Sequence, residues 1–192
     1  MNVQVKKNRK ILVIGAGGIG SFMIPLLDKT GLYEITVADP DKVEKKNLTY
    51  QNFRKKENEM NKASVMGWNY DSVTRYIPYP ILTEQQIRGF NLVVCCADNL
   101  DVRRLLYRSE VPWLDLRAQG RNCAYISYRA DKNKHDTLLA GPDGSFSCQG
   151  NAWDGSTEAQ HFSHVIASGM GAEWIHRYFV DDDIADFKMV NV

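Results

Sequence analysis

The chain has 192 residues, 44% of them hydrophobic and 24% charged, and a formal net charge of +1. That length and balance suit one folded unit with a substantial core. They exclude any argument from overall charge for a nucleic-acid partner or a membrane surface.

In chain order, residues 10–14 form a short apolar run, expected as a buried parallel strand. A glycine turn follows over 15–20, then a helix over 21–29 that Gly31 closes. Residues 34–38 read as a second strand ending at Asp39. This strand–helix–strand unit of about thirty residues has the size of a parallel crossover. Residues 61–69 are expected helical, 76–82 a short strand and 83–88 helical. The run "FNLVVCCADN" is a central strand ending at Asp98. A helix over 101–109 and the strands "PWLDLRAQG" and "NCAYISYRA" come next. Residues 131–160, rich in Gly, Asp, Asn and Ser, read as a long loop or flap. A helix is expected over 161–179, with Gly169 and Gly171 inside it, and then an acidic tail that is disordered or a small strand. The predicted architecture is α/β: a doubly wound, mainly parallel sheet flanked by helices, with antiparallel strands toward the C-terminal half.

Charge and cysteine use refine this. Between Lys42 and Lys62 there are seven basic and three acidic residues, close to the glycine turn. The four cysteines are Cys95, Cys96, Cys123 and Cys148. None forms a C-x-x-C pair, so no zinc is expected, and reduced thiols suit a cytoplasmic protein better than disulfides do. Adjacent Cys95 and Cys96 are expected on opposite strand faces as core residues. The basic cluster Lys6, Lys7, Arg9 and Lys10 before an apolar run imitates a targeting segment. The glycines break that run, and Asp28 and Lys29 end it, so neither a leader nor a membrane span is expected.

The turn has the spacing G-x-G-G-x-G: Gly15, Gly17, Gly18 and Gly20. Glycines there permit positive φ and close backbone approach, and the helix that follows aims its first N–H groups at an anion. Asp39, 19 residues after Gly20, can hold ribose hydroxyls. These features suit NAD and ATP equally, and a tight turn without a ligand is a third reading. Three other residues have plain alternatives: Lys62 as a solvated helix lysine, Asn47 as the cap of a short turn, Asp98 as the cap of the next helix.

The downstream motifs separate these readings. The chain carries Gly15–Gly20, then Asp39-Pro40-Asp41-Lys42-Val43, Asn47-Leu48-Thr49-Tyr50-Gln51, Lys62-Ala63 and Asp98-Asn99. This ordered set resembles the Rossmann-like adenylating domain of the ThiF/MoeB/HesA and ubiquitin-activating enzyme superfamily over about residues 10–130. The resemblance implies one adenylation domain over 1–192. Its nucleotide-binding half covers about 8–110, its flap about 131–160 and its C-terminal helix about 161–179. The implied reaction is attack of a carboxylate on the α-phosphate of ATP. Asp39 and Asp41 would contact the nucleotide beside the glycines, and Asn47 and Gln51 would donate neutral hydrogen bonds. Lys62 would place a charge on the phosphates and Asp98 would hold Mg²⁺. The implied substrate is the C-terminus of a small ubiquitin-like or sulfur-carrier protein, or a peptide, and the implied assembly a homodimer. No nucleic-acid or membrane partner is expected.

Two departures stand out. Tyr50 occupies the place of the family's arginine in N-L-x-R-Q and carries no charge. Arg54 is the first substitute candidate, with Arg9 and Arg103 behind it. Cys148 lies in the polar stretch "GSFSCQGN", where a thiol could accept an acyl group as a thioester. A nucleotide-binding scaffold without catalysis and an NAD(P)-dependent oxidoreductase remain the alternative functions.

Overall fold

The computed structural model describes residues 9–139, 148–149, 153 and 155–192. Seven strands form one sheet: β1 (Arg9–Ile14), β2 (Tyr33–Ala38), β3 (Val73–Ile77), β4 (Leu92–Cys95), β5 (Trp113–Gln119), β6 (Asn122–Ser127) and β7 (Phe187–Asn191). Their order across the sheet is β3-β2-β1-β4-β5-β6-β7. The first five run parallel, and β6 and β7 are antiparallel additions at one edge. The mainly parallel sheet with an antiparallel C-terminal half is the expected one.

Side chains alternate across β1, and that parity divides the core into two layers. Ile11 and Val13 face one layer, with Met23 and Ile24 of α1 (Gly20–Asp28) and with Trp174 and Ile175 of α6 (Ser163–Phe179). Leu12 and Ile14 face the other, with Ile87 of α3 (Glu84–Ile87) and Leu106 of α4 (Leu100–Arg108). Cys95 and Cys96 fall into opposite layers, as expected. Gly171 lets α6 close on the sheet: a Cβ there would run into the Leu116 side chain and meet Met23 Sδ at 3.2 Å.

β1 pairs with β2 on one side and with β4 on the other. The chain therefore winds outward in both directions from β1. The gap beyond the carboxyl ends of β1 and β4 is the switch point at which open α/β sheets bind ligands.

Two expectations need correction. The strand expected over 76–82 is instead β3, Val73–Ile77; Pro78 and Pro80 lack the N–H that a strand continuing past Ile77 would need. Part of the expected flap is a helix, α5 (Lys132–Leu139). Asp131 Oδ1 accepts the Asn133 N–H at 2.7 Å, and the His135 ring packs 4.9 Å from both the Tyr107 and Trp113 ring centres. Residues 140–147, 150–152 and 154 of that flap lie outside the described residues. Of the two forms expected for the acidic tail, the small strand is the one present: Asp186 accepts hydrogen bonds from Ser127 Oγ at 2.7 Å and Arg129 Nε at 2.8 Å, and β7 then pairs with β6.

Candidate nucleotide site

A cavity of about 1110 Å³ opens beyond the ends of β1, β2 and β4. That is ample for a nucleotide and part of a second substrate. Its floor is the glycine turn. Gly15 has φ +97°, and a Cβ there would stand 2.8 Å from the Ala97 backbone nitrogen. Only glycine lets the turn lie against the end of β4 in this way. Gly20 packs back on the Gly15 carbonyl and does not line the cavity. Gly17 and Gly18 do line it. Helix α1 then starts without a side-chain cap and without an acidic residue in its first turn. The Ser21 and Phe22 amides are already bonded to the Gly17 and Ile19 carbonyls at 3.0 and 3.2 Å, so the backbone an anion would meet is that of Gly17 and Gly18, just before the helix.

Asp39 is 4% exposed and held on both oxygens. Its Oδ2 accepts the Ala16 N–H at 2.7 Å and its Oδ1 the Asp41 N–H at 2.8 Å. Burial pushes this carboxyl above its usual range, and the nearby Lys62 ammonium works against that shift. The carboxylate keeps spare lone pairs for a ligand hydroxyl.

Lys62 is no solvated helix lysine. It begins α2 (Lys62–Asn69), whose N-cap Asn61 accepts the Ser64 N–H. Its side chain is 8% exposed, and Nζ lies 3.2 Å from Asp41 Oδ2 in the cavity wall. Burying an alkyl stem around one ammonium delivers a positioned charge with a single exposed counter-ion.

Asn47 caps a short turn and also lines the cavity. Its Oδ1 accepts the Glu44 N–H at 2.9 Å, capping a 3-10 turn over Lys45–Thr49. Its Nδ2 reaches the Tyr50 hydroxyl at 3.4 Å on the cavity wall. Gln51 is 8% exposed, lines the cavity and has a buried Oε1 without a hydrogen-bond partner. Such an orphaned acceptor costs stability in the absence of a ligand or water to satisfy it.

Asp98 lines the cavity too, and the cap of α4 is its neighbour: Asn99 Oδ1 accepts from the Asp101 and Val102 amides at 2.8 and 3.3 Å. Among the described residues no cluster of three or more His, Cys, Asp or Glu could enclose a metal ion. A single carboxylate at Asp98 suits Mg²⁺ that arrives on phosphates and keeps its waters.

The substitutes for the family arginine are placed elsewhere. Arg54 is exposed and does not line the cavity; its backbone N–H binds Glu57 Oε2 at 2.7 Å. The Arg9 guanidinium lies over the Phe179 ring and donates to the Phe179 carbonyl at 3.1 Å. Arg103 is buried, with Nε 3.2 Å from Asp115 Oδ1. Among the described residues the cations that line the cavity are Lys46, Lys62 and Arg104. Lys46 and Arg104 carry no periodicity or motif that would single them out. Trp153 was also missed; its ring meets Tyr50 edge-on with centres 5.2 Å apart.

Cys148 sits over the glycine turn. Its Sγ would lie 2.9 Å from a Cβ built on Gly18, so only glycine gives it room. The segment is pinned rather than loose. The Cys148 carbonyl accepts the Gly120 N–H at 3.0 Å, and Gln149 Oε1 accepts the His161 N–H at 2.7 Å. Burial, with the Asp98 charge adding to it, pushes the thiol up to about 11. His164 is fully buried beneath Gly18 and Tyr50, and burial lowers its imidazole below the usual value.

The match to known proteins covers most of the chain: the ThiF family model spans residues 3–171. The chain belongs to the ThiF family. Similar curated proteins include the adenylyltransferase and sulfurtransferase UBA4 of Candida albicans, 31% identical over 113 residues (54% of this chain, 26% of that one). The NEDD8-activating enzyme E1 catalytic subunit of Caenorhabditis elegans is 28% identical over 153 residues (74% of this chain, 33% of that one). This ThiF-family chain thus spans about a quarter to a third of those relatives' lengths. Among solved structures, E. coli MccB with ATP superposes with a TM-score of 0.67 at 18% identity, covering 96% of this chain and 64% of that one. The likeness is one of fold.

Proposed function

We propose that this protein activates a carboxyl group by adenylation. A carboxylate oxygen of the substrate bonds to the α-phosphorus of ATP while the bond to pyrophosphate breaks, leaving an acyl adenylate. The observation that carries the reading is Lys62, an almost wholly buried ammonium in the wall of a cavity floored by the glycine turn before α1. Reaction between two anions needs charge neutralisation and alignment above all. The turn backbone at Gly17 and Gly18 and Lys62 would receive the phosphates, Asp39 the ribose, and Gln51 Oε1 a donor from the nucleotide or a bridging water. Mg²⁺, held on the phosphates and by Asp98, would neutralise charge on the departing pyrophosphate. A nicotinamide dinucleotide has no use for a buried lysine and Asp98 in these places.

Relatives named for SUMO and NEDD8 activation, and MccB solved with MccA, support a protein or peptide C-terminus as the substrate. Cys148 is the acceptor we assign to any later transfer. Its sulfur would bond to the acyl carbon as the acyl–oxygen bond to AMP breaks, and the thiol proton would pass to solvent. ATP–pyrophosphate exchange tests the reading, run with ubiquitin-like carriers and with short peptides bearing free C-termini. Exchange that depends on one of them supports adenylation; MgATP binding without exchange under every pairing favours a nucleotide-binding scaffold.

A further inference from the structure

The described cavity wall carries five carboxyl groups, Asp39, Asp41, Glu44, Asp98 and Asp101, against the three cations Lys46, Lys62 and Arg104. Each cation is committed to one of those acids. Lys62 binds Asp41 at 3.2 Å, Arg104 binds Asp101 at 3.1 Å, and Lys46 binds Glu44 at 2.8 Å. A polyphosphate entering this space meets a wall with more negative than positive charge, and each of these cations meets it with an acid already drawing on its charge.

The three pairs differ in how readily they exchange. Lys62 is fixed by burial. Arg104 shares α4 with its partner Asp101, three residues away, so the pair stays together as the helix does. Lys46 stands on the 3-10 turn beside Tyr50, with 67% of its side chain exposed, and Glu44 is 56% exposed. A pair this open is worth little in water and separates at small cost. The Glu44 contact and, more weakly, Tyr50 and Asp41 raise the Lys46 ammonium above its usual value, so it stays charged throughout the neutral range. The flexible stem of a lysine lets the charge travel. Tyr50 itself brings a hydroxyl, directed at Asn47, and no charge.

We propose that Lys46 is a mobile phosphate-binding residue, released from Glu44 when a triphosphate enters, and that Glu44 is the competing anion that holds it in the empty cavity. This rests on the adenylation reading only for the ligand, so the test measures nucleotide binding rather than turnover.

The probe is Mg²⁺ with an ATP analogue whose α,β-bridging oxygen is a methylene, titrated by calorimetry. Lys46→Gln should weaken binding roughly tenfold, the scale of one charge-assisted hydrogen bond. Glu44→Gln keeps the shape of the turn but removes the competitor, and should tighten binding by about twofold to threefold, the scale of an exposed ion pair. In the double variant the gain from Glu44→Gln should vanish, because the two residues act on each other. Lys45→Gln, an exposed neighbour that does not line the cavity, should leave affinity unchanged. Equal affinities for the wild type and Lys46→Gln overturn the proposal and leave adenylation standing. So does a Glu44→Gln variant that binds more weakly than the wild type. If the wild type binds no nucleotide, both readings fall.

Discussion

Lys62→Met gives the account its sharpest separation of function from folding. Methionine keeps a similar length and volume and removes the charge. The side chain is 8% exposed, so the substituted thioether packs where the lysine stem lay, while Asp41, 67% exposed, returns to water when its partner is lost. Losing the ammonium costs about 1–3 kcal/mol, because Asp41 rehydrates while the buried Asp39 loses a nearby opposing charge. For a domain of this size, that corresponds to a fall in Tm of about 2–12 °C. The reaction would lose a preorganised cation aimed at developing charge, worth about 3 kcal/mol or more, so exchange should drop by at least ~100-fold. ATP–pyrophosphate exchange reads the rate and a thermal melt reads the fold. A variant that melts normally and exchanges within about threefold of the wild type refutes the role given to Lys62.

Other outcomes follow from the same geometry. Asp98→Asn should raise the Mg²⁺ concentration that half-saturates exchange by about tenfold or more, and an unaltered Mg²⁺ titration would remove Asp98 from metal binding. Burial pushes the Cys148 thiol from about 9 up to about 11, and only the thiolate is alkylated. Its modification by iodoacetamide should therefore keep accelerating from about pH 8 to about pH 10. A plateau near the ordinary value would mean that the thiol is not desolvated beside Asp98. His164 has a folded value lowered by burial, so the unfolded chain takes up that proton first. Stability should be intact above the ordinary histidine value and decline as the pH falls below it. His164→Leu should flatten the decline seen in urea melts between about pH 7 and about pH 5; an equal decline in the variant would exclude His164 as its source.

The sheet was readable because parallel strands buried on both faces give short, nearly unbroken apolar runs, as "ILVI" and "LVVC" do. Much of the site was readable for a related reason: the turn glycines, Asp39 and Asp98 follow directly on such strands. What escaped was set by contacts between distant segments. Helix α5 has no apolar stripe; its His135 is held against Tyr107 and Trp113, residues contributed by α4 and β5. β3 slid toward the N-terminus because proline chemistry at 78 and 80 outweighed the apolar pattern. Arg54 looked suitable by distance along the chain, yet its 3-10 turn directs it away from the cavity, while Lys46 on the preceding turn lines it. Cys148 looked like a loop residue until Gly120, Gln149 and His161 were seen to anchor its segment.

The most direct measurement is a crystal structure with Mg²⁺ and the methylene-bridged ATP analogue. The account predicts the phosphate chain lying across the turn backbone at Gly17 and Gly18 with Lys62 Nζ in contact and the metal beside Asp98. Phosphates bound away from Lys62, with the lysine still paired to Asp41 alone, would contradict it.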